Sequence, residues 1–141
     1  MAGKLWGIGV GPGDAELITV KAVHVLQKVP VVAVPKARPG QASIAYQIAR
    51  RYLAPGTRVA ELVMPMTEDR EALEQAWEQA AREVLAFLRQ DLDVAFLTLG
   101  DPSLYSTFGY LVKGVTAREP SLAVEVVPGI MSFAAAAARL L

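Results

Sequence analysis

The residues of this chain with the spacing of a binding site are turn residues. Glycine and proline follow three apolar, β-branched runs, at residues 11–14 (Gly-Pro-Gly-Asp), 100–102 (Gly-Asp-Pro) and 128–129 (Pro-Gly). Such runs are typical of strands in a parallel sheet, and ligands bind these sheets beyond the carboxyl ends of the strands. Glycine also lets the backbone approach a ligand closely. We therefore predict that the three turns converge on one ligand-binding crevice.

Each turn taken alone has a simpler explanation. Glycine and proline form tight turns, and the carboxylates of Asp14 and Asp101 could cap the helices that follow. Likewise, Tyr105, Ser106 and Thr107 could hydrogen-bond a ligand or begin a short helix. Three such turns at one edge of a sheet favour a binding site over the simpler explanation.

Side chains for covalent, metal or acid–base chemistry are scarce. The chain has no cysteine and one histidine, His24. Thiolate nucleophiles and cysteine-bound metals are therefore excluded, and triads nearly so. His24 falls between two valines of a predicted helix, where a structural or solvent-facing role is expected. We find no carboxylate pair or Ser-His arrangement and assign no catalytic residue and no metal site, so any catalysis should depend on positioning the reactants.

Nucleotide-binding motifs do not match this sequence. The glycines at residues 7–13 resemble a dinucleotide-binding loop, but Pro12 or Asp14 stands where the third glycine is needed. No acid follows the second apolar run to bind a ribose, and no Gly-Lys-Ser/Thr follows the glycines as in a P-loop. An NAD site is therefore not expected.

The composition indicates a globular domain and excludes several classes of protein. Of the 141 residues, 53% are hydrophobic, and 14 basic residues balance 14 acidic ones. A chain this apolar can form a core, and its balanced charge lacks the basic excess that nucleic-acid binding requires. No apolar run approaches the length of about 20 residues that spans a membrane, and the first residues do not form a signal-peptide core. We expect a cytoplasmic protein.

The elements that must position the turns alternate between strands and helices. Strands are predicted at residues 4–10, 29–35, 58–63, 93–99 and 123–127, and helices at 15–27, 43–52, 68–90, 104–115 and from 131 onward. This alternation predicts an α/β fold with a five-stranded, mostly parallel sheet and helices on both faces. Between the third strand and the third helix, Met64 and Met66 could fill the core or form an adaptable apolar wall.

The last predicted helix is unusually apolar. Residues 133–141 contain phenylalanine, five alanines and two leucines, and Arg139 is their one charged residue. Exposure of such an apolar surface to water is unfavourable. We therefore expect this helix either to pack under the sheet or to belong to a longer chain. In the second case, self-association is expected to cover the surface.

Three segments together resemble the tetrapyrrole (corrin/porphyrin) methylases in order and spacing. They are residues 9–22, which begin Gly-Val-Gly-Pro-Gly-Asp, residues 99–108, which begin Leu-Gly-Asp-Pro-Ser-Leu-Tyr, and residues 126–130, Val-Val-Pro-Gly-Ile. The resemblance covers nearly the whole chain. Within the family, residues 64–73 (Met-Pro-Met-Thr-Glu-Asp-Arg-Glu-Ala-Leu) look most like the branch that methylates precorrin-2, or cobalt-precorrin-2, at C-20 in cobalamin biosynthesis.

The resemblance implies two α/β domains with S-adenosylmethionine (SAM), the methyl donor, bound between them, and it implies a homodimer. Residues 1–141 would be the N-terminal domain, with the C-terminal domain absent. A tetrapyrrole would be the substrate, and neither nucleic acid nor membrane would be a partner. Two alternatives stay open. One is another enzyme of the same fold, such as a different corrin-ring methylase or diphthine synthase, and the other is a ligand-binding or dimerisation domain without activity of its own.

The resemblance also implies which residues bind the cofactor. Pro12 would lie in the loop that faces the tetrapyrrole, and Met131 and Ser132 would approach the cofactor from the third turn. Because Gly100 follows the most apolar strand, a valine there is predicted to fill space that the cofactor needs. The cofactor-binding residues implied in this way are Pro12, Leu99, Gly100, Asp101, Leu104, Met131 and Ser132.

The second strand ends in Pro35 and Lys36, where the uroporphyrinogen-methylating branch of the family carries an acid. We therefore assign no general base. The methyl group of SAM is already activated and the tetrapyrrole carbon is already nucleophilic, so in-line positioning would provide most of the catalysis. Lys36, Arg38 and Lys113 are candidates to bind the carboxylates of the tetrapyrrole.

Overall fold

The described residues form a sheet of five parallel strands. The computed structural model describes residues 2–104 and 106–141, so the role predicted for Tyr105 lies outside the described residues. Neighbouring strands are parallel throughout and follow the order third, second, fourth, first, fifth across the sheet. The predicted α/β fold is confirmed. The strands are β1 (Leu5–Gly9), β2 (Val31–Lys36), β3 (Arg58–Val63), β4 (Val94–Thr98) and β5 (Val124–Val127).

Helices connect the strands and cover both faces of the sheet, as predicted. They are α1 (Val20–Leu26), α2 (Ile44–Ala49), α3 (Arg70–Leu88), α4 (Phe108–Arg118) and α5 (Ser132–Leu140), together with 3-10 turns at Ala15–Leu17 and Arg50–Tyr52. The buried side chains of α1 and α2 pack on one face, and those of α3 and α4 pack on the other.

Two apolar cores, one on each face, hold the sheet in place. Phe96 of β4 shares one core with Leu88 of α3 and Leu111 of α4, and Ile8 of β1 lies in the other core. Burial of each such side chain stabilises the fold by about 1.5–3 kcal/mol. Every residue of β4 is buried, because this central strand has helices on both faces. The carboxyl end of β4, at Thr98, is therefore a rigid base for the loop that follows.

The helix predicted at residues 15–27 is divided in the structure. A 3-10 turn (Ala15–Leu17) precedes α1, and Thr19 separates the two. The backbone N–H of Ala22 donates a hydrogen bond to Oγ1 of Thr19 at 3.1 Å, so Thr19 starts a new helix. The prediction of one continuous helix is wrong. The helix predicted at residues 43–52 similarly ends at Ala49, before a second 3-10 turn.

The start of α4 was predicted four residues too early. The helix predicted at residues 104–115 begins at Phe108 and ends at Arg118. The backbone N–H of Phe108 donates a hydrogen bond to Oγ of Ser106 at 3.2 Å, so this side chain caps the helix just before its first turn. The residues that follow Gly100 therefore form a longer loop than the sequence indicated.

The helix α5 lies outside both cores. None of its residues is buried, and the exposed fraction is 65% for Phe133 and 86% for Leu140. Of the two alternatives for this helix, packing under the sheet is not observed, because none of its side chains is buried. Within residues 2–104 and 106–141, no helix is both long and apolar enough to cross a membrane.

Candidate functional site

The first two turns meet at the carboxyl edge of the sheet. Because β1 and β4 are adjacent, the residues that follow them come together. The N–H of Gly100 donates to the carbonyl oxygen of Gly11 at 2.8 Å, and the N–H of Gly11 donates to that of Gly100 at 3.3 Å. These two hydrogen bonds form an antiparallel bridge between the turns. This part of the predicted convergence is confirmed.

The third turn is tied to the second by the carboxylate of Asp101. Its Oδ1 accepts a hydrogen bond from the N–H of Gly129 at 2.9 Å, and its Oδ2 accepts one from the N–H of Ser103 at 2.8 Å. Asp101 is buried, with an exposed fraction of 7%. The suggestion that Asp101 caps a helix is wrong, because its carboxylate joins two loops. Asp14 does act as a cap, since its Oδ1 accepts from the N–H of Glu16 at 2.8 Å.

Glycine is required where the three turns touch. A Cβ atom on Gly129 would overlap the carbonyl oxygen of Gly100, and one on Gly9 would lie 2.6 Å from the same oxygen. Gly100 has a φ of 69°, in the left-handed region that side chains disfavour, and a Cβ there would lie 3.2 Å from Sδ of Met131. The close approach of these backbones depends on the absence of side chains.

The seven residues implied to bind the cofactor are arranged around this junction. Gly100, Asp101 and Met131 lie within it, as their mutual approaches above show. Leu99 and Leu104 come from the same loop, and 46% and 50% of their surfaces are exposed. Pro12, which follows Gly11, is half-buried, and Ser132, the first residue of α5, is exposed.

A pair of hydroxyl groups lies at the ends of the loop that contains the second turn, and one of them was not predicted from the sequence. Oγ1 of Thr98 is 3.0 Å from Oγ of Ser106, and only 7% of Thr98 is exposed. Ser106 was named as a candidate, whereas Thr98 was assigned only to a strand. A threonine at the last position of an otherwise apolar strand is the signal that could have identified it.

An apolar cleft of about 480 Å³ opens beyond the end of β3. Met66 is 91% exposed at the cleft, whereas Met64 is buried, so the two methionines divide the two roles considered for them. Trp77 stacks on Tyr110 with ring centroids 5.0 Å apart, which fixes the indole at the cleft. The sequence analysis placed Trp77 in a helix without assigning it to a site. The lining residues include Met64, Met66, Leu73, Trp77 and Thr107.

Comparison with known families identifies the family of this chain. The family described as Tetrapyrrole (Corrin/Porphyrin) Methylases matches residues 4–141, which is nearly all of the sequence. The chain belongs to the tetrapyrrole methylases. The resemblance seen in the three motif segments is thereby confirmed.

Two curated relatives are similar to this tetrapyrrole methylase chain over nearly all of its length. It is 45% identical over 137 residues to a Methanocaldococcus jannaschii protein named probable cobalt-precorrin-2 C(20)-methyltransferase, covering 97% of the chain and 57% of that protein. It is 38% identical over 139 residues to the cobalt-precorrin-2 C(20)-methyltransferase of Salmonella typhimurium, covering 99% and 57%. The chain therefore spans a little over half the length of these curated relatives.

A solved structure of the same family supports the comparison. Uroporphyrin-III C-methyl transferase from Thermus thermophilus, complexed with S-adenyl homocysteine, superposes with a TM-score of 0.63. The sequences are 28% identical, and the match covers 96% of this tetrapyrrole methylase chain and 48% of the other.

The basic residues suggested for the crevice rim differ in their surroundings. Nζ of Lys36 lies 2.8 Å from Oε1 of Glu61, and 13% of the Lys36 side chain is exposed. Its charge is therefore compensated within the chain. Arg38 and Lys113 are exposed, Arg38 beyond the end of β2 and Lys113 on α4. Of the three, Arg38 is exposed and lies in a loop at the carboxyl edge of the sheet.

The carboxyl group of Glu125, on β5, lies away from the junction of the turns. Hydrogen bonds from the ammonium groups of Lys4 and Lys21 lower the pKa of Glu125 on β5. Glu125 pairs with Trp6 near the start of β1, toward the opposite edge of the sheet. His24 is exposed on α1, which confirms the solvent-facing alternative.

Proposed function

We propose that the chain is the N-terminal α/β domain of a SAM-dependent methyltransferase that methylates precorrin-2, or cobalt-precorrin-2, at C-20 in cobalamin biosynthesis. The observation that carries this proposal is the junction of three glycine-containing turns at the carboxyl edge of the sheet, in a member of the tetrapyrrole methylases. The C-20 position is favoured because the two relatives described above carry that activity in their names.

The junction has the features expected of a SAM site. The turns at Gly100 and Gly129 can pack this closely against each other only because these residues lack side chains. Leu99 and Leu104 expose apolar surface next to them, which suits the apolar parts of the cofactor. We assign the SAM-binding role to the seven residues that surround the junction. When bound, SAM would supply an activated methyl group.

The same edge of the sheet offers a place for a large, flat substrate. The apolar cleft at Met66 and Trp77 is bordered by Thr107, the residue before α4, and Thr107 adjoins the loop of the junction. We assign the tetrapyrrole to this cleft and the crevice beside it. The chain's residues would then orient the substrate and exclude water, which is the form of catalysis that a positioned methyl transfer requires.

The test has two measurements. Calorimetric titration of the chain with S-adenosylhomocysteine is expected to show one saturable site. Incubation of precorrin-2 and SAM with the protein is expected to add one methyl group by mass spectrometry, and NMR should locate it at C-20. Methylation at another carbon would favour a different corrin-ring methylase. Saturable binding without methylation would favour a ligand-binding domain, and no binding would contradict the proposal.

A further inference from the structure

A contact between two side chains joins the ends of the loop between β4 and α4. Thr98 is the last residue of β4, and Ser106 is two residues before α4. Their hydroxyl oxygens are 3.0 Å apart. This contact joins the two ends of a loop that contains Leu99, Gly100 and Asp101. We refer to the pair Thr98 and Ser106 as the hydroxyl latch.

The hydrogen bonds around the latch form a consistent chain. The N–H of Phe108 donates to Oγ of Ser106 at 3.2 Å. Oγ1 of Thr98 lies 3.5 Å from the carbonyl oxygen of Leu99, to which it can donate. Either hydroxyl can be the donor in the pair; with Thr98 donating to Leu99, Ser106 would donate to Oγ1 of Thr98, and each hydroxyl would then give one hydrogen bond and accept one. The chain leads from the first turn of α4 to the backbone of Leu99.

The latch is not needed for the fold of its neighbours. Ser106 can cap α4 without Thr98, because a lone pair of its Oγ accepts from Phe108, whereas its hydroxyl proton is what the contact with Thr98 uses. Thr98 is held in the sheet by its backbone, whose carbonyl oxygen accepts from the N–H of Val10 at 2.9 Å. What the contact adds is a fixed separation between the two ends of the loop.

We propose that Thr98 and Ser106 are positioning residues that set the shape of the loop between β4 and α4. The inference rests on the proposed SAM site, to which it adds two residues outside the set implied by the family motifs. The loop is held above the latch by the bridge from Gly100 to Gly11 and by the Asp101 carboxylate. Without the latch, the end of the loop at Ser106 can shift. The positions of Leu99 and Leu104 relative to Gly100 are then no longer fixed.

The test uses three variants of the chain. Thr98→Val removes the hydroxyl and keeps the shape, Thr98→Ser keeps the hydroxyl, and Thr57→Val is the matched control. The hydroxyl of Thr57 makes a side-chain hydrogen bond to the carbonyl oxygen of Ala54 at 2.9 Å, just before β3, at the opposite edge of the sheet. Loss of one such bond predicts that Thr98→Val raises the Kd for S-adenosylhomocysteine about fivefold. Thr98→Ser and Thr57→Val should bind like the wild type.

Comparing each variant's Kd for S-adenosylhomocysteine with its stability to urea distinguishes a positioning role from a purely structural one. If Thr98→Val and Thr57→Val lose similar stability to urea and only the former binds more weakly, the latch acts on the site. Unchanged Kd in folded Thr98→Val would overturn the inference. If Thr98→Val does not fold, Ser106→Ala removes the same contact, and an unchanged Kd would again overturn it.

A readout without ligand separates this inference from the proposed function. Hydrogen exchange at the N–H groups of Ser103 and Gly129 reports on the loop directly, because both donate to Asp101. Thr98→Val should speed exchange at both positions, and Thr57→Val should not. If the wild type fails to bind S-adenosylhomocysteine, the proposed function fails. Faster exchange would then still support the latch, and unchanged exchange would overturn it.

Discussion

Asp101 shows how one buried side chain can serve a site without facing a ligand. Both of its oxygens accept hydrogen bonds from backbone N–H groups, one in its own loop and one 28 residues away along the chain. A carboxylate has enough acceptor sites for both. We therefore expect the side chain of Asp101 to shape the crevice, while its backbone and its neighbours meet the cofactor.

The first prediction concerns Asp101→Asn. An amide presents one acceptor oxygen and one NH₂ group, so either Gly129 or Ser103 loses its acceptor and faces a donor. The expected loss of stability is about 1–3 kcal/mol, measured by urea unfolding, together with weaker binding of S-adenosylhomocysteine by calorimetry. Asp14→Asn is the control, because its single bond to the N–H of Glu16 can be kept. Unchanged stability and affinity in Asp101→Asn would contradict this account.

The second prediction concerns Gly100→Val, with Gly40→Val as a matched control. Both glycines have a positive φ, 69° and 81°, so both variants should lose at least about 1–2 kcal/mol from backbone strain. Only at Gly100 does a side chain approach the site, because Sδ of Met131 is 3.2 Å from the added Cβ, whereas nothing lies within 4 Å at Gly40. Gly100→Val should therefore bind S-adenosylhomocysteine more weakly. Equal affinities in the two folded variants would show that the turn at Gly100 has no part in binding S-adenosylhomocysteine.

At the scale of elements, α5 differs from the other helices because none of its side chains is buried. Apolar surface of this kind drives association in water. The third prediction is that the chain forms a dimer or larger species, measured by light scattering. Phe133→Lys combined with Leu140→Lys should shift the species toward monomer, because both side chains are largely exposed.

A control for this experiment is available on α3. Gln79 is exposed on that helix, so Gln79→Lys adds a positive charge without removing apolar surface. This variant should associate like the wild type. A monomeric wild type, or a double variant that associates as strongly as the wild type, would contradict the role of α5.

The elements also show what the sequence could reveal. The strands were predictable because buried parallel strands are continuous β-branched runs, and the ends of β3 were predicted to the residue. The start of α4 and the role of Asp101 were not predictable. Asp101 bonds to a residue distant along the chain, and a short polar side chain such as that of Ser106 can hydrogen-bond to several neighbouring groups. The three turns were predicted correctly, because the conformational preferences of glycine and proline do not depend on tertiary contacts.

At the scale of the molecule, the junction of the turns lies at the carboxyl edge of a single sheet. The chain spans 57% of the length of two relatives named for C-20 methylation. The fourth prediction is that the chain binds S-adenosylhomocysteine about tenfold more weakly than the whole Methanocaldococcus jannaschii relative, equivalent to about 1.4 kcal/mol. A more open site makes fewer contacts and excludes less water. Parallel calorimetry would measure both, and equal affinities would contradict the prediction.

The junction of Gly11, Gly100 and Gly129 also bears on how the chain folds. Its hydrogen bonds connect positions roughly 90 and 30 residues apart in sequence, so each requires the closure of a long loop before it can form. Contacts of such high contact order form slowly and need β1, β4 and β5 to be aligned first. We therefore expect the crevice to be completed late in folding, so that a ligand of the crevice slows unfolding of the native chain without accelerating its folding.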